Sequence, residues 1–300
     1  MTCCILIPIY NRLAVTRHGL SALYEALECH RQTGDKTCRF EVVVIDDGST
    51  DGSSEWISAH YPQIHLLRGD GNLWWSGAIN MGADYSINQL SADYLLLWND
   101  DIVPADDYFI RAARLLNIAP GDTVLGSRIV VKENPAKVWS IGGYFNRTWG
   151  RYGLFTDPGP DHEGLFDCDW QPGMGTFVPV STIQRHRLRW DAVVFPQYHG
   201  DSDFTLRCKS KGIAIKTSLD LVIYNSSETS GLGKINNMNK LWQSLVSMRS
   251  NYNLRKRLVF YRRHGVMPLY YWGLGSTYVK YIGSFFKRTY FKPRLATTNA

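Results

Sequence analysis

Two adjacent carboxylates follow an apolar run in the first half of the chain. Residues 94–98 (Tyr-Leu-Leu-Leu-Trp) are typical of a strand buried on both faces, and Asn99, Asp100 and Asp101 come directly after it. Such a strand end presents both carboxylates at the carboxyl edge of a sheet, where open α/β sheets bind ligands. A hard divalent ion that bridges carboxylate to phosphate would relieve their repulsion. The motif therefore predicts a metal-assisted phosphate site or, alternatively, a solvated turn.

A second acidic pair follows another predicted strand. Residues 40–45 form a mostly apolar run that ends in Asp46 and Asp47. The next residue, Gly48, permits a sharp turn, and residues 49–51 (Ser-Thr-Asp) can cap the following helix. Capping explains part of the motif, but not why both acids precede the turn. A carboxylate at this strand end can bond the ring N–H of a pyrimidine base or a ribose hydroxyl.

Two further segments combine small or acidic residues with predicted helix starts. Residues 69–82 hold four glycines, and the helix predicted to begin near Ser76 would offer free N–H groups to anions. A flexible loop with two core tryptophans is the alternative for this segment. Later in the chain, Asp201 and Asp203 precede another predicted helix, and N-capping readily explains one of these two carboxylates but not both.

Four segments, in this order and spacing, resemble the family 2 glycosyltransferases, which have the nucleotide-binding fold called GT-A. The resemblance is greatest to rhamnosyltransferase-like members that build bacterial surface polysaccharides, and it covers residues 1–230 and, more weakly, continues to about 265. The segments are CCILIPIYNR (3–12), DDGSTD (46–51), NDD (99–101) and GDSDFTLR (200–207). The resemblance implies an inverting, metal-dependent hexosyltransferase that uses a nucleotide-diphospho-sugar, dTDP- or UDP-linked. Its acceptor would be a hydroxyl of a glycan or lipid-linked glycan in cell-surface polysaccharide synthesis.

The resemblance also implies roles for individual residues. Asp101 would ligate Mn²⁺ or Mg²⁺, and Asp201 would be the general base, with Asp203 as the alternative base. Glycine-rich residues before a late strand would meet the acceptor, namely Gly173, Met174 and Gly175. The nucleotide-sugar would contact residues of several loops, namely Pro8, Tyr10, Asn11, Arg12, Asp46, Asp47, Gly77, Asn80, Asn99 and Asp100.

The chain departs from the family pattern at two positions. Gly200 stands where relatives usually have the Glu of a Glu-Asp-x-Asp segment, and Asn225 stands where many have a metal-ligating His. An amide oxygen can also ligate a hard cation, so Asn225 is a second candidate ligand. The alternative is a catalytically inactive sugar-nucleotide binding or scaffold protein of the same fold. A dinucleotide-dependent oxidoreductase is excluded because no Gly-x-Gly-x-x-Gly turn follows the first strand.

The alternation of strands and helices through residue 117 predicts an α/β fold. We expect a mostly parallel, twisted, Rossmann-like sheet with helices on both faces. Predicted strands lie near 3–9, 41–46, 63–68, 94–98, 123–130, 213–217 and 220–225, and predicted helices near 13–30, 52–60, 76–90, 106–117, 183–190 and 202–211. The predicted domains are a catalytic GT-A domain and a basic helical extension: residues 1–230, with a nucleotide-sugar half at 1–130 and an acceptor half at 131–230, and residues 231–300.

Charge is distributed unevenly along the chain. The 33 Lys and Arg against 27 Asp and Glu give a net charge of +6. Residues 229–300 contain 13 of these bases and no acid, so residues 1–228 carry 20 bases against 27 acids and a net charge of −7. Aromatic residues are interleaved with the bases of the tail. This combination predicts binding to an anionic membrane surface, and the alternative is a helix that packs its aromatics and leaves its charges in water.

The expected surroundings of the chain follow from what it lacks. No nucleic-acid motif accompanies the basic tail, so nucleic acid is not an expected partner. Residues 266–286 are interrupted by Pro268, three glycines and Lys280, which argues against a transmembrane helix. The N-terminus has no signal-peptide pattern, and the six cysteines have no disulfide or zinc spacing. We therefore expect a cytoplasmic protein, peripheral on the inner face of the plasma membrane.

Overall fold

The computed structural model of the chain describes residues 1–119, 121–159, 163–226 and 235–291. It divides into two compact units, Met1–Tyr144 with Gly153–Thr229, and Phe145–Tyr152 with Ser230–Ala300. The first unit contains every residue proposed above for catalysis or donor binding.

Strands and helices alternate along the first part of the chain, as the sequence predicts. These elements are β1 (Thr2–Ile9), α1 (Leu13–Gln32), β2 (Arg39–Asp46), α2 (Ser53–His60), β3 (His65–Arg68), α3 (Trp74–Gln89), β4 (Tyr94–Leu97), β5 (Ile102–Pro104), α4 (Tyr108–Ile118) and β6 (Thr123–Val131). They are followed by β7 (Asn134–Ser140), β8 (Gly143–Asn146), β9 (Arg151–Leu154), β10 (Leu165–Asp167), β11 (Thr176–Pro179), α5 (Val180–His186), α6 (Gly200–Ser210) and β12 (Ala214–Asn225).

A single large sheet organises the first unit. Its strand order is β10-β12-β6-β11-β4-β1-β2-β3, with β5 paired to β12 and β7 to β6. Strands β3, β2, β1 and β4 are mutually parallel, and β11 runs antiparallel between β4 and β6. The carboxyl ends of β1, β2 and β4 therefore share one edge with the amino end of β11. The predicted GT-A-like α/β class is confirmed.

Helices cover both faces of the sheet because the strand side chains alternate. Ile5 and Ile7 of β1 face one apolar cluster that includes residues of α1 and α4. Cys4 and Leu6 of the same strand face a second cluster with residues of α3 and α6. Both clusters consist of buried side chains, so the central strands form a fixed scaffold and the loops at their ends carry the polar groups.

Several details of the first unit differ from the sequence-based expectations, including the strands β7–β11, which were not predicted. β12 is one continuous strand whose pairing with β6 shifts register between Ser218 and Val222, where two strands were predicted. α5 begins directly after β11 and ends before Arg187, which has a left-handed φ of 49°, so it lies earlier than predicted. The short strand β5 was not predicted, because three residues are too few for a periodic pattern.

The second unit combines three helices with the tip of the β8–β9 hairpin. The helices are α7 (Met238–Val246), α8 (Leu254–His264) and α9 (Tyr270–Phe286), followed by a π-helical turn (Lys287–Phe291). The ring of Phe145, from the hairpin, packs edge-on against Phe260 of α8 at 5.6 Å between centroids. Among the helices within the described residues, none combines the length and the apolar character of a membrane span.

Candidate active site

Arg12 joins the two carboxylates that follow β4. Its Nη1 donates to Oδ1 of Asp100 at 2.8 Å, and its Nη2 donates to Oδ2 of Asp101 at 2.9 Å. The hydroxyl of Thr16 donates to the other oxygen of Asp100 at 2.9 Å. The side chains of Arg12, Asp100 and Asp101 are 36%, 3% and 13% exposed, respectively. Asp100 is therefore a buried anchor, whereas Asp101 and Arg12 reach the surface.

Helix α1 brings its own residues to this loop because of their spacing. Arg12 directly precedes α1, and Thr16 and Gly19, three residues apart, share one face of the helix. A Cβ atom on Gly19 would lie 2.0 Å from the carbonyl oxygen of Asp100, so only glycine permits this close approach. Sequence reasoning missed Thr16 and Gly19, although their spacing of three residues on a predicted helix was a usable signal.

Burial and charge act in opposite directions on Asp100. Burial raises the pKa of Asp100 to about 6, and the positive charge of Arg12 opposes that rise. Arg12 therefore helps to keep a buried carboxylate ionised at neutral pH. The arrangement concentrates one positive and two negative charges at the carboxyl end of β4.

The acidic pair after β2 has different partners. Asp46 is 1% exposed, and it accepts hydrogen bonds from the N–H of Ser49 at 2.8 Å and from the hydroxyl of Ser54. Both oxygens of its carboxylate are thus used within the turn and the start of α2. Asp46 holds the loop in shape, and a bond from it to a base or ribose would have to share these oxygens.

Asp47 organises the loop that leads into α3. One of its oxygens accepts the N–H groups of Gly71 and Leu73 at 3.0 and 3.1 Å, and the other accepts that of Trp74 at 2.9 Å. The N–H of Ser76 donates to the carbonyl of Pro196 at 2.8 Å. The prediction of free N–H groups near Ser76 is therefore wrong, because the protein itself occupies those donors.

The loops after β1 and β2 are tied to each other. Asn11 has a left-handed φ of 50°, and its N–H donates to Oγ of Ser49 at 2.9 Å. Its side-chain oxygen accepts the N–H of Thr50 at 2.8 Å. Tyr10 is 46% exposed, and Pro8 precedes it at the end of β1. The exposed Tyr10 ring is thus held on a fixed loop at the same sheet edge.

Asp201 is fixed at this edge by the glycine turn before β11. The N–H of Gly173 donates to its Oδ2 at 2.9 Å, and the N–H of Ser202 donates to its Oδ1 at 2.7 Å. The N–H of Gly175 in turn donates to the carbonyl of Leu97, the last residue of β4, at 2.8 Å. Burial raises the pKa of Asp201, with the backbone bonds opposing the shift. This carboxylate therefore binds a proton more readily than an exposed Asp.

Asp203 has a different environment, although it lies only two residues away. Its side chain is fully buried, and Arg207 donates to it through Nε at 2.8 Å. Arg207 also donates to the backbone carbonyl of Arg189 at 2.6 Å. The Asp203–Arg207 pair thus links α6 to the preceding loop, and of the two carboxylates Asp201 is the one bonded to the glycine turn.

Four further predicted residues lie either on α3 or in the turn before β11. Asn80 uses both halves of its amide on the backbone of Trp190, at 2.8 and 3.1 Å, which ties α3 to the loop before α6. A Cβ atom on Gly77 would lie 3.3 Å from Cβ of Leu73, a tight contact that requires a small shift of that side chain. A Cβ atom on Gly173, in contrast, would lie 2.2 Å from the ring of Trp75. Met174, next to Gly173, packs against the apolar cluster that contains Ile5 and Ile7.

The donor atoms at the end of β4 fit a divalent cation that is shared with a substrate. Asn225 ends β12 and pairs with Ile102, the first residue of β5, which directly follows Asp101. Among the described residues, no group of three or more His, Cys, Asp or Glu side chains is arranged to hold a metal ion. Carboxylate and amide oxygens suit Mg²⁺ or Mn²⁺, which commonly take one or two protein carboxylates together with substrate phosphates. The site therefore resembles this shared kind and not an all-protein cage.

The chain belongs to glycosyl transferase family 2, whose family model matches residues 4–171. The matched stretch contains the acidic pairs after β2 and β4 and the first loop, and it ends before Gly173. The resemblance predicted from the motifs is confirmed.

Individual relatives match parts of the chain. The low-salt glycan biosynthesis hexosyltransferase Agl10 of Haloferax volcanii is 30% identical over 94 residues, which span 31% of this chain and 29% of that protein. The mannosyltransferase PcManGT from Pyrobaculum calidifontis, solved with GDP-Man and Mn²⁺, superposes with a TM-score of 0.54 at 16% identity, covering 93% of this chain and 69% of that one. S. aureus TarS 1–349 with UDP-GlcNAc gives 0.53 at 13% identity, covering 96% and 82%. At these identities the two solved structures establish a shared fold.

Proposed function

We propose that the chain is an inverting, metal-dependent hexosyltransferase. It moves a sugar from a dTDP- or UDP-linked nucleotide-diphospho-sugar to a hydroxyl of a glycan or lipid-linked glycan, in cell-surface polysaccharide synthesis. The observation that carries the proposal is the tie from Asp201 through Gly173 and Gly175 to the end of β4. It anchors a candidate base at the strand end that presents Asp100 and Asp101.

The donor side of the reaction requires charge neutralisation. As the glycosidic bond breaks, negative charge develops on the leaving diphosphate. Asp101, with Asn225, which pairs with the residue after Asp101, would hold the Mn²⁺ or Mg²⁺ ion that supplies this neutralisation. Arg12 and Asp100 fix the Asp101 carboxylate, because the guanidinium bonds both acids at 2.8 and 2.9 Å. The loops of Asp46 and Asp47 form a preorganised wall for the nucleotide.

The acceptor side requires a base. A sugar hydroxyl has a pKa far above 7, so Asp201 would accept its proton as the oxygen attacks the anomeric carbon. Burial raises the pKa of Asp201, which makes the ionised carboxylate a stronger base than an exposed Asp. Direct displacement inverts the anomeric centre, and no protein nucleophile is needed.

The known relatives support a nucleotide-sugar as donor. Agl10 is a hexosyltransferase of glycan biosynthesis, PcManGT was solved with GDP-Man and Mn²⁺, and TarS was solved with UDP-GlcNAc. These ligands belong to those proteins. They guide the choice of donors, which should include dTDP-, UDP- and GDP-linked sugars.

Donor turnover tests the proposal. Purified protein is incubated with each nucleotide-sugar, with Mn²⁺ or with EDTA, and the released nucleotide diphosphate is measured. We expect slow hydrolysis of one donor class in Mn²⁺ and its loss in EDTA. Donor binding by calorimetry without turnover, even when candidate acceptors are supplied, would instead favour the inactive binding or scaffold protein. No binding of any donor would contradict the proposal.

We also propose that the second unit docks on the anionic inner face of the plasma membrane. Trp272, Val279 and Phe286 of α9 lie seven residues apart on one stripe, with 74%, 74% and 39% of their surfaces exposed. Lys280 and Lys287, both exposed, directly follow Val279 and Phe286 and so flank this stripe. Apolar side chains flanked by bases match anionic headgroups over an acyl layer.

Only part of the basic, aromatic tail is available for such docking. Arg257 is 4% exposed, and its guanidinium lies 4.7 Å from the ring centroid of Tyr252. The hydroxyl of Tyr278 donates to the carbonyl of Tyr252 at 2.9 Å. These residues pack within the unit, so the exposed stripe and its neighbouring bases carry the proposal.

Vesicle flotation with a matched pair of variants tests the membrane proposal. Val279→Asp puts a carboxylate on the stripe, whereas Val193→Asp does the same at a valine of the first unit that is 88% exposed. We expect wild type and Val193→Asp to float with phosphatidylserine vesicles at low salt, and Val279→Asp to float at least about threefold less. Equal flotation of the two variants, or none by the wild type, would contradict the proposal.

A further inference from the structure

Arg12 already neutralises the carboxylates that the proposed metal ion would use. Its two terminal nitrogens donate separately to Asp100 and Asp101, at 2.8 and 2.9 Å. A planar guanidinium that bridges two acids in this way is held by geometry as well as by charge. The same loop is also fixed by the hydrogen bond from Thr16 to Asp100 and by the close approach of α1 at Gly19. The site therefore contains a built-in cation.

A metal ion on Asp101 would lie beside this guanidinium. Like charges that share one carboxylate repel strongly where the surroundings are partly buried. A bare divalent ion therefore gains less from Asp101 than it would if Arg12 were absent. A nucleotide diphosphate brings negative charges that can balance both the ion and Arg12, whose side chain is 36% exposed.

We propose that Arg12 acts as an internal counter-cation, so that Asp101 binds a divalent ion tightly only together with the diphosphate of the donor. This inference rests on the proposed function, because it assumes that the donor is a nucleotide-diphospho-sugar. Its consequence is ordered use of the site: the metal enters with the donor and leaves with the product diphosphate. Arg12 is thus a positioning residue that sets the metal affinity of the free protein.

Titration of Mn²⁺ alone, by calorimetry at pH 7.5, tests the inference on three full-length proteins. Arg12→Gln removes the guanidinium, and Arg17→Gln is the matched control. Arg17 lies on α1, five residues after Arg12, is exposed, and has its guanidinium 4.9 Å from the ring centroid of Trp56. We expect Arg12→Gln to bind Mn²⁺ about tenfold more tightly than wild type, and Arg17→Gln to match wild type. In saturating UDP, the Mn²⁺ affinities of Arg12→Gln and wild type should differ by less than about threefold.

A double variant checks that the gained affinity belongs to this site. Arg12→Gln/Asp101→Asn should lose the gain, and Mn²⁺ should raise the melting temperature of Arg12→Gln more than that of wild type. Arg12→Lys keeps the positive charge but loses the guanidinium that bonds both acids, so its Mn²⁺ affinity should rise about threefold over wild type. This variant replaces Arg12→Gln in the test if the Gln variant does not fold.

The possible results separate the inference from the proposed function. Equal Mn²⁺ affinity in wild type and the folded Arg12 variants, with Mn²⁺ still binding alongside UDP, would overturn the counter-cation role and leave the transferase proposal intact. Wild type that binds Mn²⁺ as tightly without UDP as with it would also overturn this role. Absence of Mn²⁺ binding in every protein, with or without UDP or dTDP, would overturn both the inference and the metal dependence of the proposed reaction.

Discussion

The acidic pairs after β2 and β4 have the same sequence pattern but different surroundings. Asp46 and Asp47 accept hydrogen bonds from neutral N–H and hydroxyl groups of their own and neighbouring loops. Asp100 and Asp101 are instead bridged by a guanidinium. Neutral donors fix a carboxylate as part of the scaffold, whereas a charged and partly exposed partner leaves it able to respond to a bound ion. The first pair therefore shapes the site, and the second takes part in its electrostatics.

The largest loss of stability is expected for Asp47→Ala. Three backbone N–H groups would lose their acceptor, and we expect the free energy of unfolding to fall by about 3 kcal/mol. Asp70→Ala is the matched control, because exposed Asp70 accepts one local N–H, that of Asn72 in the same loop. Urea unfolding measures both. A change below about 1 kcal/mol for Asp47→Ala would contradict its scaffold role.

A second test concerns the close approach that supports the other pair. Gly19→Ala would push a Cβ atom to 2.0 Å from the backbone of Asp100, so we expect a loss of about 2 kcal/mol together with weaker donor binding. Gly283→Ala in α9 meets no atom within 4 Å and should be neutral or slightly stabilising. A stable Gly19→Ala protein with normal donor affinity would show that α1 can move without consequence.

Asp101→Asn should separate binding from stability. Asp101 is 13% exposed and its partner Arg12 is 36% exposed, so we expect the free energy of unfolding to change by less than about 1 kcal/mol. The Mn²⁺-dependent part of donor affinity should nevertheless disappear, as measured by calorimetry in Mn²⁺ and in EDTA. Donor affinity that stays unchanged in Mn²⁺ would remove Asp101 from the metal site and erase the difference between the two pairs.

The strands and their acidic ends could be predicted because they depend on local pattern. Buried runs such as 94–97 require no knowledge of distant partners, and the acids at their ends are visible in the same window. The partner of each acid comes from elsewhere in the chain. Arg12 is 88 residues from Asp100, and Trp74 is 27 residues from Asp47. Only the fold decides which acid meets a guanidinium and which meets a loop.

The environments of Asp201 and Asp203 were equally inaccessible from the sequence. Both precede α6, and the motif leaves either as a base. The distinction arises because Arg207 lies one helical turn after Asp203, while Gly173 comes from a turn 28 residues before Asp201. The i,i+4 pair could have been foreseen from helical spacing. The contact with the glycine turn could not, because it depends on how β11 pairs with β4.

The smallest effect is a shift in pH dependence. Burial raises the pKa of Asp201, so its carboxylate takes up a proton at a higher pH than an ordinary Asp, whose pKa is about 3.9. If Asp201 is the base, the rate of transfer is at its maximum above this raised pKa and falls as the pH falls through it. The acid limb of kcat/KM should therefore lie above about pH 4. A limb at or below that value would contradict an active role for this carboxylate.

Transfer by Asp201→Asn tests the general-base assignment most directly. The variant keeps the shape of the side chain and an acceptor for Gly173 but cannot take up the proton of the attacking hydroxyl. We expect donor affinity within about threefold of wild type and a fall in transfer of about 10²–10⁴-fold, while Asp220→Asn, at an exposed position on β12, transfers normally. Transfer by Asp201→Asn at the wild-type rate would contradict the assignment, and loss of transfer in Asp203→Asn alone would move the base to Asp203.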